Sequence, residues 1–531
     1  MNKAHMRKYA VIVGALVLVL LPLVSFAGKS KPAEEEAVES TQPAVTQPET
    51  AKYVFLFIGD GMGMPQINSA ERYLAALEGR DYGARLLSFS RFPAQGLTTT
   101  HANDRFITGS AASATAMATG YKTNIGVISM DPAKIRSYKT IAEMAKEEGM
   151  KVGIISSVSI DHATPAAFYA HQPSRSNYYE ISVQLAESGF DFFGGGGLKR
   201  PTGKNQDQPS AIELAKKNGY TVVDNRTDFM ALSSGVGKVL AYNRILDGSK
   251  ALPYEMDRDM SDLSLAEYTK KAIELLDNPE GFFIMVEGGK IDWACHANDA
   301  AASIKDTLAF DEAVQVSVNF MNRHPAETLI VVTGDHECGG MTLGFAGQGY
   351  ETNFVLLAQQ KKSATDFFAD ELVSQYKKSM TARDFDKALE AVEEYFGLVS
   401  LSQSEKSALE KKAEAGDKDA AMKLALSLSE YELKLIRDAY NRSLQGEKER
   451  ANDQETYLLY GGYDPFAVTL SHILNQKVGI GWTSYSHTGV PVPTFAAGVG
   501  AEMFDGYYDN TDIAKKMMEI MKFSMVLASV Q

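Results

Sequence analysis

Side chains of the types that can bind metal ions follow three apolar runs of this chain, at the point where each run ends. The runs YVFLFIG (53–59), GFFIMV (281–286) and TLIVVTG (328–334) are followed in turn by Asp60; by Glu287, Asp292 and His296; and by Asp335 and His336. Carboxylates and imidazoles at the ends of buried strands are costly unless they are paired or bound to a metal ion. They are also ligands that zinc prefers. The pattern therefore predicts a metal centre.

The spacing within and between these clusters supports the metal interpretation. Asp292 and His296 are four residues apart, so a helix beginning there would place them on one face. That pair alone is weak evidence for metal binding, because a single histidine is more often a core residue or part of a capped turn. His487, in SYSHTGVPVP, offers one more imidazole. Several clusters together favour metal binding.

A candidate nucleophile and a candidate phosphate ligand lie elsewhere in the chain. Ser110 opens the small-residue segment GSAASATAMATG, which predicts a serine at a tight turn before a helix whose N-terminus favours an anion. In HATPAAFYAHQPSR, Thr164 supplies a hydroxyl ligand and Arg175 a planar fork suited to phosphate. Taken singly, these segments are equally consistent with a plain helix and a surface arginine.

Two other functions are disfavoured. The segment GDGMG (59–63) lacks the third glycine of a dinucleotide-binding loop and places an acid where pyrophosphate would approach. The formal net charge of −14 argues against nucleic acid as a partner, since phosphate-backbone binding needs basic patches.

The elements that must position these residues alternate between strand and helix patterns. Short apolar runs predict strands at 53–59, 151–157, 190–197, 220–224, 238–242, 281–288, 328–334, 353–358 and 493–499. Amphipathic patterns such as 140–149 and 264–278 lie between them. The fold class is therefore α/β, with a large, mainly parallel central sheet flanked by helices on both faces. The active site is expected at the carboxyl ends of the strands.

The chain divides into five predicted segments. They are a signal peptide (1–27), a disordered linker (28–51), the first part of a catalytic α/β domain (52–360), a helical insert or cap (361–455), and the C-terminal part of the catalytic domain (456–531). We expect export to the periplasm or the medium, with no stable membrane anchor after cleavage. An uncleaved anchor is the alternative.

The two cysteines, Cys295 and Cys338, lie beside suspected ligands. They are too few for a disulfide framework. An exported protein could still pair them, so a disulfide and two packed free thiols both remain open.

Six segments together resemble the bacterial alkaline phosphatases. They are FLFIGDGMG, GSAASATAMATG, HATPAAFYAHQPSR, VEGGKIDWACH, VVTGDHECGG and SHTGVPVP, in the family's order. The resemblance spans roughly 53–350 and 480–525. Trp293 and Trp482 make it closest in pattern to the cold-active marine subgroup.

The resemblance implies hydrolysis of small phosphate monoesters to an alcohol and inorganic phosphate through a phosphoserine intermediate. It also implies two Zn²⁺ and one Mg²⁺. The implied ligands are Asp292, His296 and His487 for the first zinc; Asp60, Asp335, His336 and the Ser110 oxygen for the second; and Asp60, Thr164 and Glu287 for magnesium. Ser110 would be the nucleophile and Arg175 would bind the phosphoryl group. Family members are often homodimers, so a homodimer is a further expectation.

Three departures from the family pattern bear on the site. Gly109 stands where many members have an aspartate that helps to hold the arginine, so we expect a looser Arg175. His162 stands where some members have an aspartate beside the magnesium site, and imidazole favours zinc or cobalt over magnesium. Trp293 stands where others have lysine or histidine. We expect His162 and Trp293 to contact substrate.

The sequence disfavours three alternative functions. A phosphodiesterase of the same superfamily typically lacks the third metal site and the arginine, so Thr164, Glu287 and Arg175 favour monoesters. A sulfatase needs a cysteine or serine in a C/S-x-P-x-R context, which the Ser110 segment does not provide. A non-enzymatic metal- or phosphate-binding protein would need no nucleophile such as Ser110.

Overall fold

One ten-stranded sheet forms the centre of the computed structural model, which describes residues 50–80, 82–446, 453–523 and 529–530. Sixteen strands lie in these ranges: β1 (Tyr53–Gly59), β2 (Ala94–Thr99), β3 (Ser137–Tyr138), β4 (Lys151–Ser156), β5 (Phe192–Gly195), β6 (Tyr220–Val223), β7 (Lys238–Tyr242), β8 (Phe282–Glu287), β9 (Thr328–Gly334), β10 (Glu337–Cys338), β11 (Thr342–Leu343), β12 (Ile480–Gly481), β13 (His487–Thr488), β14 (Val492–Gly498), β15 (Gly506–Asp509) and β16 (Ser529–Val530).

The strand order in the large sheet is β15-β2-β14-β9-β1-β8-β4-β5-β7-β6. Every neighbouring pair is parallel except the two pairs that include β14. The predicted α/β fold with a mainly parallel sheet is confirmed.

Eighteen α-helices surround the sheet within the described ranges. They are α1 (Met64–Leu77), α2 (Ser110–Thr119), α3 (Ile141–Glu147), α4 (Ala163–Ala166), α5 (Tyr178–Glu187), α6 (Ala211–Lys217), α7 (Arg226–Ala231), α8 (Leu265–Leu276), α9 (Lys290–His296), α10 (Ala300–Met321), α11 (Ser374–Ser379), α12 (Phe385–Phe396), α13 (Gln403–Glu414), α14 (Lys418–Ala425), α15 (Glu430–Leu444), α16 (Gln454–Tyr460), α17 (Pro465–Val478) and α18 (Thr511–Ile520).

Both faces of the sheet are covered, and the alternation along β1 shows it. Phe55 and Phe57 point into one hydrophobic core, together with residues of α8, α10 and α17. Val54 and Leu56 point into a second core, together with residues of α3, α5 and α18. Successive residues of a strand face opposite sides of the sheet. This explains why the central strands are apolar along their whole length.

The register of the central strands brings the candidate ligands together. β1 pairs with β8 and β9, so that Ile58 lies beside Glu287 and Gly59 beside Gly334. All residues of these three strands are buried. The carboxyl ends of the strands are therefore level, and the polar residues that follow them meet at one edge of the sheet.

The segment 361–455 is helical in its described residues, apart from one isolated β-bridge between Val399 and Ser427. It contains a π-helix (Ala364–Val373), a 3₁₀ helix (Ala382–Asp384), α11 to α15 and the start of α16. Phe368 and Tyr440 from this segment pack on Phe466 of α17, with ring centroids 5.5 and 5.4 Å apart. The segment thus shares a hydrophobic core with the rest of the molecule.

One strand prediction is wrong. The run NFVLLA (353–358) forms a 3₁₀ helix, Phe354–Gln359, whose residues Phe354, Leu356 and Leu357 are buried in the first core beside α1 and α17. A short apolar run does not distinguish a strand from a buried helical turn.

The strands β2 and β15 were not predicted, because their sequences, AQGLTT and GYYD, are partly polar and partly exposed near the sheet edge.

The predicted signal peptide (1–27) and residues 28–49 of the predicted linker lie outside the described residues. Among the helices of the described residues, none combines the length and the apolar character needed to cross a membrane.

The aromatic core between β1 and β8 gives a test of the fold. Phe282 is fully buried, and its ring centroid lies 5.0 Å from that of Tyr53 and 5.1 Å from that of Phe55. Phe282→Ala should lower the free energy of unfolding by about 3–5 kcal/mol, because it removes these contacts and leaves a cavity. Phe106 is 89% exposed, so Phe106→Ala should change it by less than about 0.5 kcal/mol.

The measurement is the denaturant midpoint of each variant at fixed zinc and magnesium concentrations, because bound ions shift apparent stability. Equal shifts in the two variants would contradict the placement of Phe282 in the core.

Candidate metal centre

Three groups of ligand side chains lie at the carboxyl ends of the central strands in the described part of the chain. Within each group, one ligand atom per residue lies within 4.8 Å of all the others. The first group is Asp292, His296, Cys338 and His487; the second is Asp60, Asp335 and His336; the third is Asp60, His162 and Glu287. Asp60 belongs to two groups, so these two share a side chain.

The second group is built on the turns that follow β1 and β9. The Nε2 atom of His336 lies 3.4 Å from Asp60 Oδ1 and 3.2 Å from Asp335 Oδ2, and all three side chains are fully buried. The backbone N–H of Gly61 donates to Asp335 Oδ1 at 3.1 Å. Gly61 has φ of 72°, and a Cβ there would lie 2.8 Å from the Cα of Asp292. Glycine at this turn therefore lets the first and second groups approach each other.

The first group combines α9 with β13. His296 and Asp292 lie one turn apart on α9, as their spacing predicted, with His296 Nε2 3.3 Å from Asp292 Oδ2. His487 Nε2 lies 3.6 Å from Asp292 Oδ1 and 3.2 Å from His296 Nε2. His296 Nδ1 lies 2.7 Å from the carbonyl of Tyr485, and His487 Nδ1 2.9 Å from that of Thr108. Carbonyls only accept, so Nδ1 carries the proton and Nε2 is left as a ligand.

Unsatisfied polar atoms concentrate in these groups. The buried side-chain atoms without a hydrogen-bond partner in the described structure include Asp60 Oδ1 and Oδ2, His162 Nδ1, Thr164 Oγ1, Glu287 Oε1, Asp292 Oδ1, Asp335 Oδ2, and His336 Nδ1 and Nε2. Each such buried atom costs roughly 1–3 kcal/mol. A cation would satisfy the oxygens and the ligating nitrogens at once. The residues present therefore fit bound metal ions.

The electrostatics of the carboxylates lead to the same conclusion. Burial, together with the charges of Asp335, Asp292 and Glu287, raises the pKa of Asp60 well above its usual value. Burial raises the pKa of Glu287 to about 7, and burial with the charge of Asp292 raises that of Asp335 to about 8. Without a nearby cation, these carboxyls would retain protons near neutral pH. A bound cation removes that penalty.

Asp292 behaves differently because imidazoles surround it. Burial opposes its charged form, but the charge and hydrogen bond of His296, with the charges of His487 and His336, outweigh burial and hold the pKa of Asp292 well below its usual value. Burial likewise opposes the imidazolium of His296, yet Asp292 outweighs it and raises that pKa to about 9.

The third group is organised around Glu287 at the end of β8. Its Oε2 accepts a short hydrogen bond from Ser156 Oγ, and Ser156 is the register partner of Glu287 on β4. Thr164, in the short helix α4, is fully buried with its hydroxyl unpartnered within the described structure. His162 precedes α4 as its N-cap residue. Oxygen ligands from Asp60, Thr164 and Glu287 are thus available to one ion.

His162 belongs to the third group and is also hydrogen-bonded to Arg175. Its Nε2 lies 2.8 Å from Arg175 Nη2, and a guanidinium only donates, so this nitrogen accepts. Burial, with the charge of Arg175, lowers the pKa of His162 well below its usual value, so the ring is neutral. A neutral ring that accepts at Nε2 carries its proton at Nδ1 and cannot ligate there. While Arg175 holds this ring, the third group offers oxygen ligands alone.

Ser110 is the first residue of α2 and is 2% exposed. Two contacts fix the chain around it. Three residues later, Ser113 Oγ donates to the carbonyl of Asp335 at 2.7 Å. Two residues earlier, the carbonyl of Thr108 accepts from His487. The predicted nucleophile therefore lies on a segment held by residues of the first and second groups, at a helix N-terminus that favours negative charge.

The two tryptophans have different surroundings. The ring of Trp293 meets that of His162 edge-on, with centroids 5.9 Å apart. Trp482 instead lines a separate pocket of about 330 Å³ with His472 and Tyr485. Trp293 therefore contacts a residue of the third group.

Sequence reasoning missed several features of the site. Ser156 was missed, although it is the last residue of β4 and pairs with Glu287 in the sheet. The carbonyls of Thr108 and Tyr485 leave no sequence signal, because any residue could supply them. Cys295 and Cys338, both described, are buried free thiols, so the disulfide alternative is not formed.

The chain is similar to known proteins over most of its length. Residues 51–523 match the family model described as alkaline phosphatase. Alkaline phosphatase 3 of Bacillus subtilis (strain 168) is 30% identical over 519 residues, which cover 96% of this chain and 97% of that protein.

Two solved structures are also similar. The cold-active alkaline phosphatase of Shewanella sp. is 27% identical with a TM-score of 0.68, covering 88% of this chain and 99% of that one. A mutant of TAB5 alkaline phosphatase, with magnesium bound in its M3 site, is 25% identical with a TM-score of 0.58, covering 90% and 100%.

The raised pKa values predict how stability depends on pH when cations are removed. Above pH about 6.5, the unfolded chain has ionised carboxyls and neutral histidines. The folded protein without cations still protonates Glu287 up to about pH 7, Asp335 up to about 8 and His296 up to about 9. The folded state therefore binds more protons, and stability falls as pH rises from 6.5 to 9.

The measurement is the unfolding temperature of chelator-treated protein across this pH range, beside protein loaded with zinc and magnesium. Each extra bound proton corresponds to a loss of about 1.4 kcal/mol per pH unit. Loaded protein should lose much less, since cations stabilise the ionised carboxylates. The same pH dependence in both forms would argue against cation binding by these residues.

Proposed function

Since the chain belongs to the alkaline phosphatase family, we propose that it hydrolyses phosphate monoesters with two zinc ions and one magnesium ion, through a phosphoserine at Ser110. The observation that carries the proposal is the junction at Asp60, where two ligand groups share one carboxylate beside the segment that bears Ser110.

The chemistry of each ligand group favours a particular metal ion. Mixed carboxylate and imidazole groups suit zinc, which would be held by Asp292, His296 and His487 at one position and by Asp60, Asp335, His336 and the Ser110 oxygen at the other. An all-oxygen group of Asp60, Thr164 and Glu287 suits magnesium. The magnesium in the TAB5 mutant supports a third ion.

When bound, the zinc ions supply positive charge that lowers the pKa of a hydroxyl nucleophile and stabilises a leaving oxygen. The residues of this chain do the rest. Ser110 Oγ attacks phosphorus, the bond from phosphorus to the alcohol oxygen breaks, and the alcohol leaves with a proton. A water molecule then attacks the phosphoserine, which releases inorganic phosphate and restores the Ser110 hydroxyl.

Arg175 binds and orients the phosphoryl group. Its guanidinium matches two phosphoryl oxygens with parallel N–H donors. His162 accepts from Nη2 at 2.8 Å and thereby limits the positions that the guanidinium can take. A diester offers one fewer free phosphoryl oxygen to the arginine and the ions, so this arrangement favours monoesters over the alternative diester substrates.

Replacement of the nucleophile tests the proposal. Ser110→Ala should lower the turnover of a chromogenic phosphate monoester by about 10³–10⁶-fold, as loss of a covalent nucleophile does in other hydrolases. Zinc content, measured on the same sample, should stay close to wild type, because most ligands remain. Wild-type protein should prefer the monoester to the matching diester at alkaline pH.

Two results would reject this function. A strong diester preference would mean that Arg175 does not bind the phosphoryl group as described. Undiminished turnover by Ser110→Ala at unchanged metal content would rule out the phosphoserine.

Gly109 offers a second test, because the structure has room for a carboxylate there. Gly109 has φ of −128° and ψ of 161°, and a Cβ would meet no atom within 4 Å in the described structure. Gly109→Asp should hold Arg175 more firmly and tighten inhibition by inorganic phosphate about two- to tenfold, since a pre-ordered group loses less entropy on binding. Turnover should fall if product release limits the rate.

The matched control is Gly109→Asn, which adds a side chain of the same size without the charge and should leave phosphate inhibition near wild type. Unchanged phosphate inhibition in Gly109→Asp would show that the missing aspartate does not loosen Arg175.

A further inference from the structure

A pocket of about 250 Å³ adjoins Trp293, where α9 faces the segment 361–455. Tyr254 and Trp293 line it from the catalytic side, and Ala369, Asp370 and Tyr463 are among the residues that line it from the other side. Ligand pockets are typically concave, partly aromatic and close to the groups that do the chemistry. This pocket meets the first two conditions.

The pocket is also close to the phosphate-binding group. Trp293 lines the pocket and contacts the ring of His162. His162 in turn is hydrogen-bonded to Arg175. Trp293 therefore joins the pocket to the residue that holds the guanidinium, and a substrate whose phosphoryl group lies on Arg175 would extend its remaining part toward Trp293.

The aromatic walls are fixed by a buried cation. Lys290 is fully buried and forms ion pairs with Asp247 at 2.9 Å and Asp366 at 2.7 Å. Its ammonium lies 3.8 Å from the ring centroid of Tyr254 and 4.8 Å from that of Trp293. A desolvated cation over two aromatic faces holds both rings in place. The walls are thus formed before a ligand binds, which reduces the entropy cost of binding.

The charges around the pocket decide what it suits. Asp366 is paired with Lys290, and Asp464, which also lines the pocket, is paired with Lys377 at 2.9 Å. Lys290 is shared with Asp247, and Asp370 is a further carboxylate of the lining, so the carboxylates outnumber the lysines and an anionic group would be repelled. The lining offers acceptor oxygens, which bind hydroxyl donors, and aromatic rings, which bind apolar ring faces.

We propose that this pocket binds the alcohol part of the phosphate monoester, and that this part is a hydroxyl-rich ring without negative charge, such as a sugar or a cyclitol. A volume of 250 Å³ corresponds to about eight water molecules, enough for one ring. The assignment rests on the proposed function, since the alcohol is the leaving group of that reaction.

The first experiment fills the pocket from the side away from the metal ligands. Ala369 is half-buried in the π-helix Ala364–Val373, and Ala369→Phe would occupy the pocket. In metal-loaded protein, kcat/KM for a hexose 6-phosphate should fall about tenfold or more, while that for methyl phosphate should stay within about twofold. The matched control is Ala408→Phe on exposed α13, which should change neither value.

Three results would overturn the proposal. They are an unchanged hexose phosphate reaction in Ala369→Phe, an equal loss for hexose phosphate and methyl phosphate, and a wild-type preference for nucleoside monophosphates over sugar phosphates. The last would show that the pocket takes a nucleobase rather than a polyol. Failure to hydrolyse any monoester, methyl phosphate included, would instead reject the proposed function.

The second experiment measures binding without turnover. The chain has two tryptophans, so Trp482→Phe leaves Trp293 as the single fluorescent reporter. Titration with a free hexose should give a saturable change in its emission, and Ala369→Phe in the same background should abolish it. No saturable change, or the same change in both proteins, would place the sugar elsewhere.

Discussion

The repulsion among buried carboxylates at the ends of three parallel strands is the constraint on which this structure depends. The sheet register places Glu287 level with Ile58 and Gly59 level with Gly334. Asp60 and Asp335, which follow the two glycines, are therefore held close together. Taking several negative charges out of water together is unfavourable unless cations or protons accompany them. Side chains with unpartnered atoms at this point make sense only as a site completed by ions.

Much of this arrangement was accessible from sequence, for identifiable reasons. Central strands buried on both faces are apolar along their length, so the sequence predicts β1, β8 and β9. It also predicts the ligands Asp60, Glu287 and Asp335 at their ends. Features that depend on distant chain segments were not visible. The orientation of His487 depends on the carbonyl of Thr108, and that contact carries no residue-type signal.

The same dependence on distant chain segments explains why the strand prediction at 353–358 is wrong. The segment 353–358 has strand-like composition, but its apolar side chains are buried as one helical turn between helices rather than in a sheet. Nothing in the sequence singles out Lys290, and its burial depends on Asp247 and Asp366, which lie 43 and 76 residues away in sequence. Tertiary partners determine the role of such a residue, and composition does not reveal them.

The departures from the family pattern act together on Arg175. By the resemblance to the family, an aspartate would be expected at both Gly109 and His162; in this structure the guanidinium has a neutral acceptor, His162 Nε2, at 2.8 Å. A neutral hydrogen bond is weaker than a charge-assisted one, which leaves more of the cation's charge for the phosphoryl group but holds it less rigidly. The ring that accepts this bond is packed against Trp293, which Lys290 links to Asp366. The position of the arginine is therefore set through aromatic and ionic contacts that reach the segment 361–455. An aspartate beside the arginine would instead have set it through direct charge pairing.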